Sequence, residues 1–170
     1  MAPNVITQKV HPCLWFDTQA LEAATFYTTI FSQAPNSSSD AATTTSSSSS
    51  RILSSSKQFV TFSLAGQEYS ALNGGTYYKL SPALSLFISC DDQAEIDYFW
   101  ENLLKDGGRE LQCGWLTDRF GVSWQVVPKV LMEMIANEDK EKAERARNAM
   151  LKSQKFEIAA LQAAFEGQTQ

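Results

Sequence analysis

Apolar and polar residues alternate along several short stretches of this chain. The alternation is clearest from residue 122 to residue 127, where Val122, Trp124 and Val126 alternate with Ser123, Gln125 and Val127. Lys9 to Asp17, Gln58 to Leu64 and Ala83 to Cys90 follow the same rule. A period of two places successive side chains on opposite faces of a strand. We therefore predict strands here, each with one face in a packed layer and the other in a more polar space.

Helical spacing marks the segments that follow the first and third of these strands. In Leu21 to Phe31 the apolar residues fall mostly on one helical face, and Asp17 or Thr18 is a candidate N-cap. Asp91 and Asp92 similarly precede a second amphipathic segment, which ends at two glycines. Two strands with a helix after each indicate an internal repeat of elements.

A turn separates the last two predicted strands. Asp118 to Gly121 reads D-R-F-G, and the glycine supplies the backbone freedom of a tight reversal. We predict strands on both sides, over Arg109 to Trp115 and Val122 to Val127. The face that carries Ser123 and Gln125 suits a small bound molecule, although an ordinary hairpin with one solvated face has the same pattern.

Element order then gives the predicted organisation. The order β-α-β-β-β occurs twice, in module one at about residues 8–75 and module two at about 83–128, followed by helices over 129–166. We predict one α+β domain over residues 1–170. Residues 35–56 are almost all Ser, Thr, Ala and Asn, so we expect Pro35 to Ser50 to be a long flexible loop.

Composition narrows the function classes. The 170 residues are 44% hydrophobic, and the formal net charge is -5 at pH 7. Lys and Arg do not cluster, which argues against nucleic acid, and no apolar run has the length of a membrane span. The first ten residues lack the layout of a secretion signal. Cys13, Cys90 and Cys113 are odd in number and widely spaced, which favours a reducing, cytoplasmic setting.

Several longer stretches resemble a known family. They are CLWFDTQALEAATFYTTIF (13–31), SALNGG (70–75), QCGWLTDRFGVSWQVVP (112–128) and AMLKSQKFEIAALQAA (149–164). On these residues the chain resembles the PhnB-like group, labelled 3-demethylubiquinone-9 3-methyltransferase, of the glyoxalase/bleomycin-resistance (vicinal oxygen chelate) superfamily. The resemblance implies paired βαβββ modules of the glyoxalase/dihydroxybiphenyl dioxygenase type, a curved sheet around a cleft, and a homodimer.

The resemblance also implies four positions for a divalent metal. In this chain they are occupied by His11, Tyr69, Ser85 and Gln125, with Glu68 on the other parity from Tyr69. One His, one Tyr, one Ser and one Gln make a poor divalent site, so we expect no metal and no other cofactor. His11 is the single histidine of the chain, and a surface histidine at a strand end is the plainer interpretation.

We expect the cleft to take an unidentified small molecule. Its candidate lining is His11, Cys13, Trp15, Tyr69, Asn73, Ser85, Cys113, Trp115, Ser123 and Gln125, with no catalytic residue assigned. Cys113 has no second histidine to activate it, and tryptophans are more often core residues. No Gly-rich turn opens a helix after a strand, so the sequence offers no mechanism for the methyltransferase label.

Three hypotheses remain open at this point. The chain is a metal-free binding protein with a cleft for a small, partly apolar molecule, or an enzyme of the superfamily (isomerase, lyase or methyltransferase-like) that uses His11, Tyr69, Ser85 and Gln125. The third hypothesis is a structural dimer with a filled cleft. Met132, Met134, Ile158, Leu161 and Phe165 give the C-terminal helices apolar surface that suits a homodimer.

Overall fold

The order of strands and helices is the same in the two halves of the chain. The computed structural model describes residues 6–35 and 50–168, and the chain divides into two units, Met1–Leu80 and Ser81–Gln170. The first unit contains β1 (Cys13–Phe16), α1 (Ala20–Gln33), β2 (Arg51–Ser55), β3 (Phe59–Leu64) and β4 (Gln67–Asn73). The second contains β5 (Ser85–Cys90), α2 (Gln93–Leu104), β6 (Arg109–Glu110), β7 (Trp115–Thr117) and β8 (Ser123–Pro128).

Three further helices complete the second unit: α3 (Lys129–Ile135), α4 (Lys140–Lys152) and α5 (Ile158–Phe165). The predicted α+β fold, two βαβββ modules followed by C-terminal helices, is therefore confirmed. The loop predicted over Pro35 to Ser50 lies outside the described residues except at its two ends. No helix within residues 6–35 and 50–168 has the length and apolar character needed to cross a membrane.

The first unit has a four-stranded sheet in the order β1-β4-β3-β2. β1 runs parallel to β4, while β3 is antiparallel to both of its neighbours. Pro12 precedes β1, and β1 lies at the sheet edge, as a residue without an N–H requires. One face packs on α1 and buries Leu14, Val60 and Phe62 together with Tyr27.

A side chain distant in sequence begins α1. Neither Asp17 nor Thr18 caps it, because the N-cap position is Gln19 and its side chain makes no capping hydrogen bond. Instead Asn73 Oδ1, at the end of β4, accepts a hydrogen bond of 2.8 Å from the Ala20 N–H. The predicted local cap is wrong because a tertiary partner satisfies the same orphan donor.

The second sheet has the order β5-β8-β7-β6, with β5 parallel to β8. Its core face packs on α2. The buried residues of that layer are Leu86, Ile88, Leu116, Trp124 and Val126 from the strands and Ile96, Phe99, Trp100 and Leu103 from the helix. Asp92 caps α2 by accepting from the Glu95 N–H at 2.9 Å, as predicted.

The strand predicted over Arg109 to Trp115 is interrupted. β6 ends at Glu110 and β7 begins at Trp115, because Cys113 and Gly114 both adopt positive φ angles, 61° and 75°. Their N–H groups donate to the carbonyls of Ser153 and Gln154, each at 2.7 Å. The N–H groups of the loop therefore pair with the connection between α4 and α5, while the Gly114 carbonyl still accepts from the Val126 N–H of β8 at 2.8 Å.

The same loop anchors the C-terminal helices. A Cβ at Gly114 would lie 2.3 Å from the ring of Phe156, so only glycine allows this ring to pack there. Phe156 joins a buried cluster with Val127, Leu131 and Leu161. Much of the apolar surface of these helices is therefore used within the unit.

A buried carboxylate holds the turn between β7 and β8. Asp118 is 3% exposed. Its Oδ1 accepts from the N–H groups of Phe120 and Val122 at 2.8 and 3.0 Å, and its Oδ2 accepts from Trp124 Nε1 at 2.8 Å. The predicted turn is confirmed, and its aspartate also orients a core tryptophan.

We expect Asp118→Ala to lower the free energy of unfolding by about 3 kcal/mol, because two buried N–H groups and the indole lose a charged acceptor. Urea unfolding followed by far-UV circular dichroism measures the change. Asp91→Ala is the matched control, since Asp91 forms an exposed ion pair with Lys129 that contributes less than about 1 kcal/mol. Equal effects of the two substitutions would contradict this role of Asp118.

Candidate functional site

Each sheet has one face on its helix and a second face on which most of the predicted site residues lie. We call this second face the polar face of the sheet. Residues in cross-strand register share a face, so Cys13, Ser70 and Thr61 lie in one row of the first polar face, which Ser54 extends on β2. A second row contains Arg51, Ser63 and Glu68, and a third Trp15, Leu72 and Phe59.

His11 is attached to this face just before β1. Its Nε2 lies 3.0 Å from Ser70 Oγ, and its Nδ1 lies 3.3 Å from the carbonyl oxygen of Gln8. A carbonyl only accepts, so this arrangement fits the tautomer with the proton on Nδ1. The Ser70 hydroxyl then donates to Nε2, and His11 sets the direction of that hydroxyl.

The parity assigned to Tyr69 and Glu68 is wrong. Tyr69 is in register with Phe62 and stacks on it at 5.3 Å between ring centroids, on the side of α1. Burial raises the pKa of the Tyr69 phenol. Glu68 is the residue that lies on the polar face. This follows from the register of β4 with β3, in which Glu68 pairs with Ser63 and Tyr69 pairs with Phe62.

Glu68 binds the segment that precedes β1. Its carboxylate accepts from the N–H groups of Thr7 and Gln8 at 2.7 and 2.6 Å and from Thr7 Oγ1 at 3.1 Å. The hydrogen bond from the Gln8 N–H, helped by those from Thr7 and by the nearby His11, lowers the pKa of Glu68. The sequence analysis missed this contact because it joins residues 60 and 61 positions apart.

Trp15 and Asn73 support the turn that follows β4. Trp15 Nε1 donates to the carbonyl of Gly75 at 2.8 Å, and its ring occupies the space where a Cβ at Gly74 would lie. Asn73 begins α1 through its Oδ1 and donates from Nδ2 to the carbonyl of Lys57 at 2.8 Å. Both side chains hold backbone, so their observed contacts are structural.

The cysteines take three different positions. Cys13 is exposed at the end of its row, Cys90 is buried and Cys113 is half-buried. Partial burial raises the pKa of the Cys13 thiol, which disfavours the reactive thiolate. Cys113 lies at the loop that binds the C-terminal helices, away from the polar face of its sheet.

The second polar face brings four predicted residues together. Gln125 lies in one row between Phe87 and Trp115, and Ser123 lies in the next row between Ser85 and Thr117. Gln125 Nε2 donates to Ser85 Oγ at 2.8 Å. Phe87, which the sequence analysis did not select, is 49% exposed in the middle of a strand. Its place on the same face as Gln125 was readable from the period of two.

The four implied metal positions do not assemble a donor set within either unit. His11 and Tyr69 lie on opposite faces of the first sheet, while Ser85 and Gln125 bond to each other. Within the described part of the chain, no three His, Cys, Asp or Glu side chains gather at one point. These residues do not fit the metal that the resemblance implies.

Comparison with known proteins supports the family and the fold. The family model for 3-demethylubiquinone-9 3-methyltransferase matches residues 8–127. The PhnB protein from Bacillus cereus, provisionally described as a 3-demethylubiquinone-9 3-methyltransferase, is 29% identical, with a TM-score of 0.56 over 71% of this chain and 99% of that one. Among functionally curated proteins none matches the chain.

Two further solved structures are similar to the chain at lower sequence identity. A protein from Pseudomonas aeruginosa is 19% identical, with a TM-score of 0.51 over 72% of this chain and 98% of that one. The fosfomycin resistance protein FosX from Listeria monocytogenes is 14% identical, with a TM-score of 0.45 over 71% of this chain and 88% of that one. The first of these supports the fold alone.

Glu68 predicts an acid dependence of stability. Its folded-state pKa is lowered, so its stabilising contribution is present above the pKa of an unfolded glutamate, about 4.3, and is lost as the pH falls through the folded value. We expect wild type to be more stable than Glu68→Gln at pH 6, with the difference shrinking toward pH 3. Thermal unfolding at several pH values measures it.

The control for this experiment is Glu138→Gln, which removes an exposed carboxylate from the connection between α3 and α4. Its difference from wild type should change little over the same pH range. A Glu68→Gln difference that stays constant or grows as the pH falls would contradict the assigned hydrogen bonds.

Proposed function

Because the chain belongs to the 3-demethylubiquinone-9 3-methyltransferase family, within the glyoxalase superfamily, we propose that it is a PhnB-like binding protein for a small, partly apolar molecule. The observation that supports this most is the row of Phe87, Gln125 and Trp115 on the second polar face. An amide lies there between two aromatic side chains, with a hydroxyl bound to it. This combination of apolar walls and a few polar groups is typical of ligand sites.

Strand spacing decides what shape of ligand this row accepts. Neighbouring strands are about 4.8 Å apart, so Phe87 and Trp115 are attached about 10 Å apart on either side of Gln125. Two aromatic rings attached that far apart can leave room for one planar ring between them. Gln125 donates through Nε2 to Ser85, so its Oε1 is directed to accept from a ligand N–H or O–H.

The proposal is a binding role without methyl transfer and without metal. S-adenosylmethionine enzymes commonly use a doubly wound parallel sheet, whereas each sheet here contains one parallel pair among its described strands. The side chains at the implied metal positions are engaged with other partners or lie on the helix side. Catalytic turnover of a bound compound would favour the enzyme alternative.

We also propose a reducing, cytoplasmic location. Three cysteines are free, and Cys13 is exposed. An exposed free thiol is more easily kept reduced inside the cell.

Ligand binding can be tested with 1-naphthol and 4-hydroxybenzamide as planar probes. Isothermal titration at pH 7 should give saturable binding of at least one probe, unchanged by EDTA. Gln125→Leu should weaken its Kd about tenfold, since one hydrogen bond is lost. Ser89→Ala on the same face is the matched control. No binding by wild type, or equal binding by Gln125→Leu, would argue against this site.

A homodimer is the second part of the proposal. The structure uses Met134 and Leu161 inside the unit, but Met132 on α3 is 53% exposed and Leu151 on α4 is also exposed. Exposed apolar side chains on neighbouring helices suit a contact between copies, which must bury more than about 1,000 Å² in total.

We expect a mass near twice 18.9 kDa by light scattering at micromolar concentration. Met132→Glu should shift the mass toward the monomer, while Lys140→Glu, an exposed change at the start of α4, should not. A wild-type mass of one chain across a tenfold dilution series would reject the dimer.

A further inference from the structure

A groove runs between α4 and α5, away from the sheet of the second unit. It forms an open cavity of about 440 Å³, within the roughly 300–1,000 Å³ of small-molecule sites. We propose that this groove binds a linear aliphatic dicarboxylate, with one carboxylate at Arg145 and the other at Lys152. The family model ends at residue 127, so the groove lies in the part of the chain that follows the two βαβββ modules.

The walls of the groove are small apolar side chains. Its alanines are Ala149 on α4 and Ala160, Ala163 and Ala164 on α5. Both larger apolar residues at the C-terminal half of α5, Leu161 and Phe165, pack in the cluster with Phe156. An alanine side chain ends at Cβ, so the two helices leave between them a space that longer side chains would fill. The result is an apolar channel wide enough for a methylene chain.

A cation lies at each end of this channel. Arg145 donates from Nε and Nη2 to the Phe165 carbonyl at 3.1 and 2.9 Å, which fixes its guanidinium at the C-terminal end of α5. Lys152 is the last residue of α4, at the end of the groove where α5 begins. Arg145, Ala149 and Lys152 follow the spacing i, i+4, i+7, so they share one face of α4. The two cations are therefore attached about 10 Å apart.

These two cations lack the partners that nearby cations have. Lys142, Arg147 and Lys155 each form an ion pair with a Glu or Asp side chain. Arg145 and Lys152 form none with the residues that the structure describes, and the described lining of the groove contains no acidic residue. On a chain with a net charge of -5, the groove is thus a local positive site, and its charge is complementary to an anion at each end.

The spacing of the cations selects the length of the ligand. An extended aliphatic chain advances about 1.3 Å per bond, so the nine-carbon dicarboxylate azelate spans about 10 Å between its carboxyl carbons. Its methylenes then lie along the alanines and leave water. An acidic helix from another protein fits less well, because α5 has eight residues and offers only about 12 Å of groove.

Four probes test the charge and the length of the ligand. The Kd values are measured by ligand-observed NMR at pH 7 on the full chain, and azelate should bind saturably. Nonanoate has one carboxylate, 1,9-nonanediol has the same length without charge, and succinate is too short to reach both cations. Each should bind at least about fivefold more weakly than azelate, since each forfeits at least one ion pair.

Two variants with matched controls test the place of binding. Lys152→Gln should weaken azelate binding about fivefold and leave nonanediol binding unchanged, whereas Lys140→Gln, the same change at the other end of α4, should alter neither. Ala160→Leu places a larger side chain in the groove at an exposed helical position where leucine is well tolerated, and it should weaken azelate binding at least about fivefold. Ala159→Leu, exposed on the same helix outside the groove lining, is its control.

This inference does not depend on the planar-ligand site, and Gln125→Leu should leave azelate binding unchanged. Absence of azelate binding, nonanediol or nonanoate binding as tight as that of azelate, or equal effects of a variant and its control would overturn the proposal. A lower mass of Lys152→Gln by light scattering, together with no azelate binding by wild type, would instead assign the groove to a second copy of the chain.

Discussion

Each unit depends on one constraint: a four-stranded sheet has two faces but only one helix of its βαβββ repeat to cover them. In the first unit α1 packs on the face with Leu14, Val60 and Phe62, and in the second α2 packs on the face with Leu86 and Trp124. Successive residues of a strand point to opposite faces. Each apolar residue on the helix side therefore places its neighbours on the other face, and many of these neighbours carry hydroxyls.

This constraint explains how much the sequence could predict. The period of two in β1, β3, β5 and β8 was strong enough to assign their faces, and Gln125 and Ser85 indeed share one. The period of two did not assign the faces of β4, where either Tyr69 or Glu68 could lie on the polar face. Aromatic stacking of Tyr69 on Phe62 determines the parity there, and such a cross-strand contact depends on a register that a single strand does not contain.

The remaining errors share a physical cause, which is that the hydrogen-bond partners lie far apart in the sequence. Asn73 caps α1 from the end of β4, and Glu68 holds Thr7 and Gln8. At Cys113 and Gly114 the backbone turns with positive φ and pairs with the connection before α5. Local propensity predicts caps and strands well when their partners are adjacent, and none of these partners is adjacent.

The chemistry of the two polar faces follows from the same arrangement. Desolvating an isolated charge is far more costly than desolvating a hydroxyl or an amide, which favours an uncharged ligand at the site that we propose around Gln125 and Ser85. On the second face Phe87 and Trp115 add apolar walls to the same kind of polar floor. Ser85 and Gln125 occupy two of the positions implied for a metal and bond to each other, so the role we propose for this face is recognition of an uncharged molecule.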